Sequence, residues 1–114
     1  MPNLGFSANV TPSTGVAVGK LYPLGTKVVG VADRPIAANT PGAVDLTPGR
    51  RVMAPKPTGA GTNYAQFADA YLFPATLDGQ IVTGVTGIKV GIIGAQPATT
   101  DTAVEVILFP GCGL

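Results

Sequence analysis

The chain has no histidine, no tryptophan and a single cysteine, Cys112, and only 11% of its residues are charged. Each shortage removes a class of chemistry. Without histidine, and with one thiol, no nitrogen or sulfur cluster exists to hold a transition metal, and the usual partner of a serine nucleophile is missing. Ser7 and Ser13 are the only serines. The six acidic residues are scattered and form no Asp-rich calcium loop. They could assemble a carboxylate pair for glycoside cleavage, but seven scattered aromatic rings offer little platform for a sugar. A lone cysteine cannot close an intrachain disulfide, so no oxidised framework holds the domain together. The expectation is a protein with no catalytic residues, no metal and no cofactor.

Long hydrophobic runs are also missing: no stretch approaches the 18 apolar residues of a membrane span, and the first residues lack the basic and apolar segments of a signal peptide. The chain is expected to be made and used without crossing a membrane. A formal net charge of +1 gives nucleic acid little to bind. The loop Pro55 to Gly61 contains a Gly-x-Gly, but neither a third glycine nor a following Lys-Ser/Thr, so it is not a phosphate cradle.

Glycine and proline are abundant, at 16 and 11 of 114 residues, which rules out long uninterrupted helices. One hydrophobic core is expected at this length, organised as eight or nine short strands separated by turns. The clearest pattern lies near the C-terminus. Ile88, Val90 and Ile92 alternate, Gly94 to Thr102 interrupts, and Val104, Val106 and Leu108 resume on one face. Earlier in the chain Val29-Gly30 and Ala43-Val44-Asp45 echo Val90-Gly91 and Ala103-Val104-Glu105. Either a twofold pseudo-symmetry or chance repetition of common small residues accounts for the echo.

A first strand pair is read at Val16 and Val18, then Leu21-Tyr22, broken at Pro23-Leu24-Gly25, and further strands at Lys27 to Val31, Arg51 to Ala54, Tyr71 to Phe73 and Ile81-Val82, with an Asp78-Gly79 turn before the last. Tyr64, Phe67, Ala68 and Tyr71 fall at helical spacing behind Asn63, predicting one helix of at most two turns. Residues 1–15 show no periodicity and read as an extended arm preceding a single β domain over 16–114. Leu4, Phe6 and Val10 are its apolar anchors, spaced for one side of an extended segment that could add to another chain's sheet edge; a frayed terminus is the alternative reading.

Scarce charge leaves a surface of Thr, Ala, Gly and Asn. Such a surface suits protein association, because desolvating Lys and Glu is costly. The charge is also uneven: Lys20, Lys27, Arg34, Arg50, Arg51 and Lys56 dominate the first half, whereas Asp69, Asp78, Asp101 and Glu105 dominate the second. If the halves occupy different faces, copies could meet with opposite signs. Arg50, Arg51 and Lys56 form the one basic cluster, read either as a contact for an acidic protein patch or as a solvated turn.

The succession Val29-Gly30-Val31-Ala32, Ala37-Ala38, Pro41 to Gly49, Tyr64-Ala65-Gln66, Asp69-Ala70-Tyr71-Leu72 and Lys89 to Leu108 resembles the small capsid decoration proteins of tailed bacteriophages. The likeness covers roughly residues 16–110. It implies a compact β-barrel or β-tulip, homotrimers on local threefold axes of an expanded icosahedral head, and the major capsid protein as partner. It further implies residence on the outer surface of the virion after synthesis in the host cytoplasm, and capsid contact through an arm, for which Leu4, Phe6 and Val10 would serve. A different class stays open: a tail or fibre β domain binding a host-surface carbohydrate through Tyr22, Tyr64 or Tyr71.

Overall fold

Nine strands form two antiparallel sheets in the structure, a computed structural model that describes residues 7–25 and 28–111. Leu4, Phe6 and Cys112 lie outside the described residues. The first sheet contains β1 (Ser7–Val10), β2 (Leu21–Leu24), β3 (Val28–Ala32) and β4 (Gly42–Asp45) in the order β1-β4-β3-β2. The second contains β5 (Arg50–Pro55), β6 (Asp69–Phe73), β7 (Gln80–Val82), β8 (Ile88–Ile93) and β9 (Ala103–Leu108) in the order β5-β9-β8-β6-β7. The protein is all-β.

Set side by side, the two orders have the same topology. With β7 set aside, in each sheet the first strand pairs with the last and the strands between run as successive antiparallel neighbours, the arrangement of a Greek key. β1, β2, β3 and β4 correspond to β5, β6, β8 and β9, with β7 as an addition at the edge. The sequence echo falls on the equivalent central pairs, β3 with β4 and β8 with β9. Their registers differ. Val31 faces Asp45 in the first sheet, which by the echo would place Ile92 opposite Glu105, whereas Ile92 faces Ile107. A displacement of two residues preserves which side chains point inward, since the period of a strand is two. Val44 and Val104 are accordingly both buried.

The second sheet curls until its edges, β5 and β7, touch, with no hydrogen-bonded ladder between them among the described residues. The expected barrel thus takes the form of a curled sheet with an unzipped seam. Inside it lie Ala54, Leu72, Ile81, Ile88, Val90, Val104, Val106 and Leu108, and Leu21, Val29 and Val31 of the first sheet pack into the same core. The first sheet is covered on its other side by its own loops. Val16 and Ile36 exchange backbone hydrogen bonds of 2.8 Å and bring their side chains onto Ala32 and Val44, with Val10 and Tyr22 packed alongside.

Three expectations are corrected. Residues 63–71 form no helix: Ala70 and Leu72 are pulled into β6 by ladders on both sides, with β7 and β8, and period two prevails over the helical spacing. β2 continues through Pro23, because it is an edge strand and a proline there need not interrupt a ladder. Ser7–Val10, read as part of the arm, is β1, paired with β4 of the same chain. Within β8 the alternation slips at Gly91. The register with β6 shifts there, so that Ile93, and not Ile92, is fully buried.

Candidate interaction surface

The three basic residues read together from sequence do not form a cluster. Arg50 and Arg51 begin β5, where alternation sends them to opposite faces, and Lys56 lies just beyond its last residue, Pro55. Arg50 turns toward the first sheet, where its Nη1 bonds the carboxylates of Asp33 and Asp45, the latter at 2.7 Å. It acts as a clip between the two β units. Arg51, largely exposed, pairs loosely with Glu105 at 3.4 Å on the outer face of the second sheet.

Lys56, expected at the surface, is 2% exposed. Its ammonium donates to the carbonyl oxygens of Pro57 (2.8 Å) and Asp101 (2.9 Å) and lies 5.8 Å from the centre of the Tyr64 ring. It joins the 55–62 loop to the 94–102 loop, supported by backbone bonds from Lys56 to Thr102 and from Gly59 to Thr99. Arg51 with Glu105 links the basic first half of the chain to the acidic second, whereas Arg50 finds Asp33 and Asp45 within the first half and Lys56 turns inward.

Burial alone would push the Asp45 carboxyl up. Hydrogen bonds from the Thr47 hydroxyl, from Arg50 and from the Thr47 backbone N–H outweigh it and hold the group below the usual carboxylate range. The same carboxylates keep the Arg50 guanidinium protonated more firmly than in a free side chain. A carboxylate whose folded pKa is depressed contributes stability that is complete above its unfolded pKa, about 3.9, and is lost as the pH falls through the folded value. Thermal melts are expected to show stability declining from about pH 4 downward. Asp45→Asn should start less stable at neutral pH and show a flatter acid limb; an identical acid limb would remove the clip as its cause.

The tyrosines do not assemble a sugar platform. Tyr64 is buried, and its hydroxyl donates to the Ile81 carbonyl oxygen at 2.9 Å. Burial raises its pKa. Tyr22 packs against the outer cluster of the first sheet, and Tyr71 is half-buried in β6. Val10, one of the arm anchors, is likewise committed to that outer cluster. Among the described residues no group of three His, Cys, Asp or Glu side chains could hold a metal ion, and no buried side-chain nitrogen or oxygen lacks a hydrogen-bond partner. No helix among them is long and apolar enough to cross a membrane.

What the surface does present is large apolar side chains. Val18, Met53, Phe67, Phe73, Val85 and Phe109 are all exposed. Met53 follows from sequence, because alternation along Arg51, Val52, Met53 and Ala54 puts it outward with Arg51. Phe67 does not. It occupies the third position of the turn Ala65 to Ala68, closed by a 3.2 Å bond from the Ala68 N–H to the Ala65 carbonyl, and its φ is 67°. Glycine or asparagine usually fills that position, and a bulky side chain held there costs on the order of 1–3 kcal/mol. Two further bonds pin the turn: Phe67 N–H to the Ile93 carbonyl at 2.7 Å and Gln66 Nε2 to the Gly94 carbonyl at 3.0 Å.

Two clefts indent the surface. One, of about 640 Å³, lies between β4 and the 33–41 loop, with Arg34, Pro35 and Ile36 on one wall and Ala43 to Asp45 on the other. The second, of about 370 Å³, opens at the seam of the curled sheet, between Val18 to Leu21, Met53 and Pro55 of β5, and Leu77 to Gln80. Comparison with family models, with curated protein sequences and with solved structures finds no match.

Proposed function

We propose that this chain is a structural virion protein that decorates the expanded icosahedral head and stabilises it by bridging major capsid proteins, as homotrimers on local threefold axes. The observation that carries the reading is the pairing of scarce charge with exposed large apolar side chains on a small two-sheet domain. Several of the few charges pair with one another within the chain while Val18, Met53, Phe67, Phe73, Val85 and Phe109 face outward. Such a surface favours repeated modest contacts, which lattice symmetry multiplies into firm attachment. The resemblance to small decoration proteins points the same way. On this reading the chain has no catalytic role, no cofactor and no nucleic-acid or membrane partner. Its partners are the major capsid protein and its own copies.

The test is addition of purified protein to expanded heads that lack it, with co-sedimentation and resistance of the heads to heat as readouts. Saturable binding that delays head disruption is expected, and no binding would end the proposal. The arm is tested by deleting residues 1–6 only, because a deletion through residue 15 would also remove β1 and strip the pairing edge of β4. The shorter deletion is expected to leave the melting temperature within a few degrees of the full chain while weakening attachment about tenfold or more. Unchanged attachment would remove Leu4 and Phe6 from the contact.

A further inference from the structure

We propose that Phe67 of one copy inserts into the seam cleft of a second copy of this chain. The phenyl group is a large apolar side chain presented to solvent from a backbone conformation that favours glycine, and three hydrogen bonds hold the turn that presents it. Rigid, exposed aromatic side chains of this kind are the usual anchors of protein contacts. The seam cleft has the matching character. Val18 and Met53, both about three-fifths exposed, form its lip, and Leu21, Leu72 and Leu77 line it. Its volume of about 370 Å³ accommodates one aromatic side chain, and the Met53 thioether offers a favourable sulfur–ring contact. One contact would thus cover three of the exposed apolar side chains.

Charge complementarity is what favours a second copy as the occupant. Beside Phe67, Asp69 and Lys89 are paired at 3.5 Å. At the seam cleft stand one cation and one anion, Lys20 and Asp78. Docking the turn over the cleft lets Asp69 meet Lys20 and Lys89 meet Asp78, and a copy docked in the reverse sense would set like charges together. Turn and cleft share no residue, so the contact is heterologous and propagates head to tail until it closes into a ring. The inference rests on the decoration reading only in that a lattice sets copies side by side, and its test uses no particles.

The experiment is analytical ultracentrifugation of the full chain across a concentration series. Wild type is expected to form a discrete oligomer. Phe67→Gly places the favoured residue at φ 67°, so its urea midpoint should rise, while its self-association weakens about 30-fold or more. A rise in stability with loss of association separates the contact from misfolding. Asp69→Lys and Lys20→Asp should each weaken association, and the two together in one chain should restore it. A wild type that stays monomeric at 100-fold the concentration used for head binding overturns the proposal, as does a Phe67→Gly variant that associates normally. If wild type is monomeric and Phe67→Gly loses head attachment, a particle protein occupies the turn instead; the inference then fails while the decoration reading stands.

Discussion

Lys56→Met is expected to destabilise the protein by about 2–4 kcal/mol, read as a lower urea midpoint with an unchanged slope. Methionine fills nearly the same space, so packing of the stem is retained. What is lost are the donors to the Pro57 and Asp101 carbonyl oxygens, and each buried carbonyl left without a partner costs roughly 1–3 kcal/mol. Replacing a buried ion pair by apolar groups is often neutral, but that requires both partners to be replaced. Here the acceptors are backbone carbonyls, which no side-chain substitution can remove. The attraction between the ammonium and the Tyr64 ring is lost as well. Hydrogen exchange gives a local readout: the Lys56 and Gly59 amides, bonded to Thr102 and Thr99, should lose protection before the strands do. An unchanged midpoint together with unchanged protection at these amides would show that the ammonium is not holding the loops.

Gly91→Ala is expected to cost a similar amount, about 2–4 kcal/mol, through a different cause. Gly91 has a φ of 155° where β8 bulges against β6, and a Cβ there would overlap the Ile107 carbonyl oxygen of β9. That obstacle is backbone in the central pair of the curled sheet, so relief requires β8 and β9 to separate. Gly30 is the sequence equivalent in β3 and gives the control. A Cβ at Gly30 would meet the Leu46 and Val44 side chains, at 2.9 and 3.0 Å, and the Asp45 carbonyl oxygen only at 3.1 Å, a much looser backbone contact than at Gly91, and half-buried Leu46 can rotate away. Gly30→Ala should therefore be the milder change. Equal effects in parallel chemical melts would contradict the distinction between a backbone and a side-chain obstacle.

The repeated Val-Gly word thus has a physical basis: each glycine lies in the central strand of its sheet where the neighbouring strand leaves no room for a Cβ. This explains why so many of the strand positions were legible. Val104, Val106 and Leu108 alternate because β9 buries one side, and the echo marks the strand pairs on which both sheets are built. The Asp78-Gly79 turn joins β6 to β7 as its residues predict.

Other features were illegible because their causes lie far away in the chain. Lys56 stands six residues from Arg50 and reads as part of a basic turn, yet its acceptor at Asp101 comes from a loop 45 residues on. Arg50 finds Asp33 across the junction between the sheets, a contact with no local signature. Phe67 misleads twice, since it completes an apparent helical stripe and occupies a left-handed turn position without any of the usual residues. The tyrosines offered for a carbohydrate are similarly ambiguous in sequence, and only packing assigns Tyr64 to the core. On function the sequence speaks only through what is scarce: charge, histidine and thiols.

The most direct test of the decoration reading is the molar ratio of this protein to the major capsid protein in purified particles, by quantitative mass spectrometry. A protein covering the local threefold positions as trimers is expected at a ratio near one. A ratio of a few per cent would contradict that account and place the chain at a vertex or tail, and absence from the particle would contradict a virion role altogether.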